Sequence, residues 1–425
     1  MKTLAEWLEH QQRQHPRAIA LGLERVREVA LRMQLRRPAP LVVTVGGTNG
    51  KGSTVAFLEA MLRAAGRRVG AYTSPHLLRY NERLRIDGNE ADDATLVAAF
   101  ERIEAARGDT PLPYFEYGTL AALAICAGRS LEVALLEVGL GGRLDAVNLV
   151  DADVAIVTTV DLDHLDWLGA DREAIAREKA GLFRAGRPAI IAESRPPATL
   201  LAEARRIGAV AVRRDHDYGF EPAPTGWRWW HRDGTALALP EPAMPAPAQY
   251  ANAAAAIAAL HALRATIAVE PAAIAQGVAG ARASARLQRL PGTPAVWVDV
   301  GHNPQAAREL AGWLRAQPFA GATRAVFAAL GDKDIAGIVA ALATEVDEWY
   351  LAPLDQLSPR GLDVAALRAR LGLPPSAPVR EAESVDAALE AAVAAAAPAD
   401  RVLAFGSFHT AAAALAWHRA RANAR

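Results

Sequence analysis

Residues 41–66 read LVVTVGGTNGKGSTVAFLEAMLRAAG. The run 41–45 is apolar or β-branched, which predicts a strand buried on both faces. Gly46, Gly47, Gly50 and Gly52 then crowd around Asn49 and Lys51, and after Ser53 the residues Val55, Phe57, Leu58, Met61 and Leu62 recur at helical spacing. Strand, glycine turn and helix in that order make a phosphate cradle. Backbone N–H groups approach phosphate oxygens closely only where Cβ atoms are absent. The helix N-terminus adds partial positive charge, and Lys51 reaches the terminal phosphates. Gly52 stands between Lys51 and Ser53, a departure from the strict P-loop form. A plain glycine turn is the alternative, and it leaves the lysine and the hydroxyls unexplained.

The chain has 425 residues, 52% of them hydrophobic, with 47 basic and 47 acidic side chains. That length exceeds one ordinary core and predicts two domains. Balanced charge argues against nucleic acid or an anionic membrane as main partner. Cys126 is the single cysteine, so neither an intrachain disulfide nor a cysteine metal cluster is expected. The stretch MKTLAEWLEHQQRQHP lacks an apolar h-region, and no apolar run approaches the ~20 residues that cross a bilayer. The expectation is a cytoplasmic protein.

Upstream of the cradle, residues 3–33 predict two amphipathic helices broken near Pro16, with IALGLERV (19–26) leading the second. Downstream, 68–74 predicts a second strand, and SPHLLRYNERLRIDG (74–88) reads as a polar loop over a site. Strands are predicted at 132–138 and 153–160, and helices at 93–106 and 115–128. The Trp-rich stretch 221–248 predicts a hairpin whose tryptophans serve packing, and an Ala-rich helix covers about 251–264. The pattern breaks at RASARLQRLPGTP (282–294), which places domains at 1–287 and 288–425. A fresh β/α alternation then runs from AVWVDV (295–300) to RVLAFGS (401–407). The fold class is α/β: a P-loop domain with a mostly parallel sheet flanked by helices, then a smaller Rossmann-like domain.

Chemistry-bearing residues sit past predicted strand ends, where parallel sheets open onto their ligands. Ser74 follows the second strand, Glu137 ends the third, and His164 follows the fourth in DLDHLDWLG. Serine and carboxylate oxygens suit Mg²⁺; a histidine alone is weaker support. Lys179, in IAREKAGL, reads as a surface lysine on a helix. Asp299 ends a strand before GHNP and presents His302 with it. GSFHT (406–410) puts Ser407 and His409 at a turn that holds an anion or caps a helix.

Taken together, GTNGKGST, YTSPHL, FEYGT, LLEVGLGGRLDAVN, DLDHLDWLG, REKAGL, DVGHNP and GSFHT resemble, in this order, the Mur-ligase superfamily, and more narrowly its folate branch. The extra Gly52 is similar to that branch, where cell-wall ligases usually show GKT or GKS. The resemblance implies an ATP-dependent carboxylate–amine ligase that adds L-glutamate to dihydropteroate and to the γ-carboxylate of reduced folates through an acyl phosphate. It also implies that Gly47, Thr48, Asn49, Gly50, Lys51, Gly52 and Ser53 cradle ATP, and that Asn252, Arg286 and Asp299 match further ATP positions. Ser74, Glu137 and His164 match Mg²⁺ ligands, for two ions with a monovalent cation as a further candidate. Lys179 matches a lysine carbamylated to N6-carboxylysine. Ala20, Leu21, Gly22 and Leu23, with Pro113, Tyr114, Phe115 and Glu116, and with Leu144, Asp145 and Ala146, match pterin contacts. Lys51, Lys179, His164 and His302 carry catalysis, and His302, Ser407 and His409 position glutamate. A monomer without nucleic-acid or membrane partner is implied.

Two departures stand out: Ala20 replaces an acidic residue common in relatives, and Ser-Ala rather than Pro-Gly precedes Arg286. The competing readings are a monofunctional folylpolyglutamate synthase, a cell-wall muramyl ligase and a P-loop nucleotide switch. Only 45 residues precede Gly46, too few for the UDP-sugar domain of muramyl ligases. A switch leaves the SPHL loop and the second β/α domain without a role.

Overall fold

Strands β1 (Leu41–Gly46), β2 (Val69–Tyr72), β3 (Leu84–Ile86), β4 (Asn89–Glu90), β5 (Val133–Glu137), β6 (Val154–Val157), β7 (Pro188–Ile191) and β8 (Val210–Arg213) form one sheet in the computed structural model of the chain. Their order is β4-β3-β2-β5-β1-β6-β7-β8. From β2 to β8 every pairing is parallel, and β3 and β4 add an antiparallel edge. The apolar run predicted from 41–45 thus lies mid-sheet. Helix Lys51–Ala64 crosses from β1 to β2 and buries Phe57, Leu58, Met61 and Leu62 completely. Long apolar strands joined by helices leave no other stable arrangement than a covered parallel sheet.

The structure describes residues 2–15, 20–317 and 319–423. Helices Leu4–Arg13 and Glu24–Arg32 occupy the stretch where two were expected; Pro16 and Ile19 lie outside the described residues. β9 (Tyr218–Pro222), β10 (Trp227–His231) and β11 (Ala236–Leu239) make a small antiparallel sheet. Trp227 and Trp229 are fully buried there, with indole N–H groups donating to the Pro240 carbonyl (2.8 Å) and the Ala254 carbonyl (3.2 Å). The tryptophans serve packing.

Residues 74–88 differ from the expected polar loop. They hold a single 3₁₀ turn, Tyr80–Arg83, and then β3. Their charges are spent on bonds within the stretch and to neighbouring elements. Glu82 accepts the backbone N–H groups of Leu77, Leu78 and Arg79 at 2.7, 2.8 and 2.8 Å. Arg85 donates to the buried Glu59 carboxylate at 2.8 and 2.9 Å. Polar composition here marks bonded turns rather than solvation.

A second unit carries β12 (Gln288–Leu290), β13 (Ala295–Val298), β14 (Thr323–Phe327), β15 (Glu348–Leu351), β16 (Val379–Glu381) and β17 (Arg401–Phe405), ordered β12-β13-β17-β14-β15-β16. Only β12 is antiparallel. The units are Met1–Ala243 with Gln249–Arg282, and Met244–Ala248 with Ala283–Arg425. The division at Arg282/Ala283 precedes the expected 287/288. Leu287 is fully buried in the second unit's core, and its N–H donates to Asp299 at 2.7 Å. Ala246 packs on the same core, which accounts for the short 244–248 excursion. Among the described residues no helix is long and apolar enough to cross a membrane.

Truncating Glu59 leaves the Arg85 guanidinium without its buried partner. Glu59→Ala is expected to lower stability by about 3 kcal/mol, read as a shifted midpoint in urea unfolding followed by circular dichroism.

Candidate active site

Four adjacent parallel strands end side by side. Val45 of β1 is in register with Glu137 of β5, Gly46 with Val157 of β6, and Tyr72 of β2 with Leu136. The chain leaving those ends supplies Ser74, Glu137, the glycine turn and the stretch 158–164. The Ser74 N–H donates to a Glu137 carboxylate oxygen at 3.0 Å, and that carboxylate is 4% exposed.

The glycine turn is held from the β6 side. A Cβ on Gly47 (φ +147°) would stand 1.8 Å from Thr158 Oγ1, and one on Gly50 (φ +87°) would stand 2.4 Å from Asn252 Oδ1. Only glycine fits either position. Thr48 N–H donates to the Thr159 carbonyl (2.8 Å), and Asn49 N–H to Thr159 Oγ1 (2.9 Å). Thr48 Oγ1 reaches the Asp161 carbonyl (3.1 Å), and Thr158 Oγ1 donates to the Asn49 carbonyl. Thr158, Thr159 and Asp161 therefore shape the cradle, a role sequence reading missed because TTV passes for ordinary strand. Asn252, in the first half of helix Ala248–Ala262, sits against the turn at Gly50. The Lys51 ammonium donates to the Gly47 and Thr48 carbonyls at 3.0 and 3.1 Å. These neutral acceptors give way readily to phosphate oxygens.

Lys179 is not a surface lysine, as its local pattern suggested. It is 2% exposed in helix Arg172–Ala180. Burial pushes its amine down to about 7, the Lys51 charge adds to the drop, and Asp163 opposes it. His164 adopts a left-handed backbone (φ +53°) just before the helical turn Leu165–Leu168, with Nε2 3.9 Å from Asp163 Oδ2. Ser74, Glu137, His164 and Lys51 thus follow the C-terminal ends of four central strands, and Lys179 lies close enough to Lys51 and Asp163 to feel their charges. A buried carboxylate and a hydroxyl suit a hard divalent cation, and the chain leaving β6 carries the His164 imidazole.

The expected pterin residues also meet. Arg25 donates to both Glu116 oxygens at 2.6 and 3.1 Å and to the Ala20 carbonyl. Gly22 N–H donates to the Leu144 carbonyl at 3.3 Å. Burial pushes Glu116 up to about 7 against the pull of Arg25, and the neighbouring Asp145 charge pushes the same way. Asp145 is itself raised by burial to about 6, although it accepts N–H groups from Leu140 (2.9 Å) and Val147 (3.0 Å). Phe115 packs near Tyr72, ring centroids 6.1 Å apart, and Tyr114 meets Tyr80 edge-on at 5.8 Å. Pro113 precedes helix Tyr114–Ala127, and Ala146 is buried in the same core. Arg25 stands two residues past ALGL, and nothing in the local pattern points to its Glu116 partner.

Within the second unit, Asp299 is half-buried and accepts N–H groups from Leu287 and Gly301, both at 2.7 Å. Burial raises its pKa, while Arg286 and His302 oppose the rise. The Arg286 guanidinium and the His302 ring both lie against Phe408, at 5.5 and 6.0 Å. Ser407 Oγ accepts the Thr410 N–H at 3.0 Å and contacts its hydroxyl at 2.7 Å, so it caps helix Phe408–Asn423. His409 is half-buried, and burial holds its imidazole below the usual range.

Two family profiles match: the Mur ligase middle domain over residues 45–213, and the Mur ligase glutamate ligase domain over 285–408. The dihydrofolate synthase/folylpolyglutamate synthase of Escherichia coli is 48% identical over 407 residues, covering 96% of this chain and 93% of that protein. The chain belongs to this family of Mur ligases. The ligase also matches the solved structure of E. coli FolC in complex with DHPP and ADP, with TM-score 0.93, 46% identity and 99% of each chain covered. A bifunctional synthase crystallised with Mn, AMPPNP and L-glutamate matches at TM-score 0.90 and 46% identity over 98% of each chain.

The buried Lys179 predicts a pH signature in the ligase. The folded state disfavours the charged amine, so stability is reduced at low pH and recovers between about 7 and the ordinary lysine pKa near 10.4. In bicarbonate-free buffer, Lys179→Met should unfold at higher urea than wild type at pH 6.5, with the gap narrowing by pH 9.5.

Proposed function

We propose that this ligase joins L-glutamate to 7,8-dihydropteroate, forming dihydrofolate, and to the γ-carboxylate of reduced folates. The observation that carries the reading is the single sheet edge that unites the glycine cradle, Lys51, buried Glu137 and buried Lys179. An acid with its pterin held near Arg25, Glu116 and Asp145 is presented to the same edge in this reading.

A carboxylate is a poor acyl donor until one oxygen becomes part of a leaving group. Its oxygen attacks the γ-phosphorus of ATP, the bond to the β,γ-bridging oxygen breaks, and ADP departs. The glutamate amine then attacks the acyl carbon, loses a proton, and expels inorganic phosphate. Most of the catalytic effect is positioning and charge neutralisation. Backbone N–H groups of the turn orient the phosphates. Lys51 leaves its two carbonyls for the phosphoryl oxygens and stabilises the charge that builds on them. Ser74, Glu137 and His164 would hold Mg²⁺, which supplies further neutralisation when bound. Lys179, with a pKa near neutrality, presents its amine uncharged; condensation with CO₂ releases a proton and yields a carbamate, turning a buried neutral amine into an anion beside that site. His302 and His409 are assigned to glutamate. In this reading the ligase works as a cytoplasmic monomer.

Incubation with ATP, Mg²⁺, glutamate and either dihydropteroate or tetrahydrofolate should release ADP with each acceptor and yield the amide, seen by mass spectrometry. Absence of amide with every pterin or folate acceptor overturns the assignment. Lys51→Ala is expected to lower kcat by about 10²–10³. Lys179→Ala should lose most activity and regain part of it with added acetate or formate; full activity without them would sink the carbamate.

A further inference from the structure

A second group of metal-type ligands lies in the first unit, outside the ligase chemistry. His231 ends β10, Asp233 occupies the tight turn before β11, and His261 lies in the last turn of helix Ala248–Ala262. Their ligand atoms all fall within 4.8 Å of one another. His231 Nδ1 is 2.9 Å from Asp233 Oδ1, and His261 Nε2 is 2.9 Å from Asp233 Oδ2. The two imidazole centroids are 4.4 Å apart.

Packing holds these groups in place. The histidine side chains are only 16% and 11% exposed. The fully buried Trp229 stacks nearly parallel to His231 at 6.1 Å and lies against His261 at 5.5 Å. Asp233 Oδ1 accepts the Thr235 N–H at 3.0 Å, which fixes the carboxylate within the turn. Rings and carboxylate are thus oriented before any ligand arrives, the main requirement of a metal site.

We propose that His231, Asp233 and His261 bind one transition-metal dication of the zinc type. Metal–ligand bonds of about 2.1 Å place tetrahedral ligand atoms roughly 3.4 Å apart, close to the spacing these donors already have. Two imidazoles with one carboxylate select Zn²⁺, Ni²⁺ or Cu²⁺ over Mg²⁺, which prefers oxygen alone. Proton accounting points the same way. His231 Nδ1 lies 3.3 Å from the Asp233 N–H and 2.9 Å from Asp233 Oδ1, and one nitrogen cannot accept from the first while donating to the second. A cation takes the nitrogen and carboxylate lone pairs together. The C-terminal end of the helix favours positive charge. Arg264, with Nη2 3.5 Å from Asp233 Oδ2, competes for the carboxylate, but its side chain is 61% exposed and can swing aside.

Asn252 and His261 are nine residues apart on one helix, about 14 Å along its axis. The cation therefore clips the β10–β11 turn to the far end of the helix that touches the glycine cradle, without entering the cradle.

Metal-free full-length protein titrated calorimetrically with ZnCl₂ in excess Mg²⁺ should take up one Zn²⁺ that Mg²⁺ does not displace. His261→Gln and Asp233→Asn should each weaken that binding by about 100-fold or more, since even outer-shell changes cost 10–100-fold. Co²⁺ should give wild type the visible absorption of a nitrogen- and oxygen-ligated tetrahedral site. Equal Zn²⁺ binding in wild type and both variants, or no Mg²⁺-resistant equivalent, overturns the proposal. Should a variant fail to fold by circular dichroism, the wild-type Co²⁺ spectrum decides. No substrate enters these measurements, so their outcome is independent of the ligase assignment.

Discussion

One hydroxyl, that of Thr158, stands where any side chain on Gly47 would have to go. From that contact follows most of the nucleotide cradle. The residues leaving β6 clamp the turn leaving β1 through Thr158, Thr159 and Asp161, and Asn252 closes on Gly50 from the helix above. A phosphate cradle must be rigid before its ligand arrives, because donors that reorganise during reaction lose much of their electrostatic value. The paired strands provide that rigidity, since β6 is held in register with Val43–Gly46 of β1.

Electrostatics at the same edge are poised rather than satisfied. Lys51 rests on two carbonyl oxygens, acceptors far weaker than phosphate. Lys179 is buried so deeply, and so near Lys51, that its charge is disfavoured. Glu116 and Asp145 are raised toward neutrality by burial; Arg25 offsets part of the effect on Glu116, and backbone N–H groups offset part of it on Asp145. Buried groups with displaced pKa values concentrate where charge must be moved or exchanged, which separates this edge from the ion pairs scattered over the rest of the surface.

Helix Ala248–Ala262 connects two features of the first unit. Its early residue Asn252 bears on the glycine turn, and its last turn carries His261 beside the β10–β11 turn. Trp229 packs along the same helix through its bond to the Ala254 carbonyl. The small antiparallel sheet is therefore a brace for a helix that bears on the glycine turn, which gives the Trp-rich stretch a structural purpose.

Local pattern by itself determined the fold class, the cradle and the β/α alternation of the second unit, because strand runs, helical periodicity and glycine turns are short-range properties of the chain. Ordered motifs added the family and singled out Ser74, Glu137 and His164 as candidates. Only the tertiary structure decided that Lys179 is buried, that 74–88 folds into bonded turns and the strand β3, that Thr158 and Thr159 shape the cradle, and that the main span of the second unit begins at Ala283. It also joined Arg25 to Glu116, residues 91 positions apart. Burial and charge pairing depend on which distant surfaces meet, and a lysine or arginine on a helix reads the same in sequence whether its neighbour is water or a carboxylate.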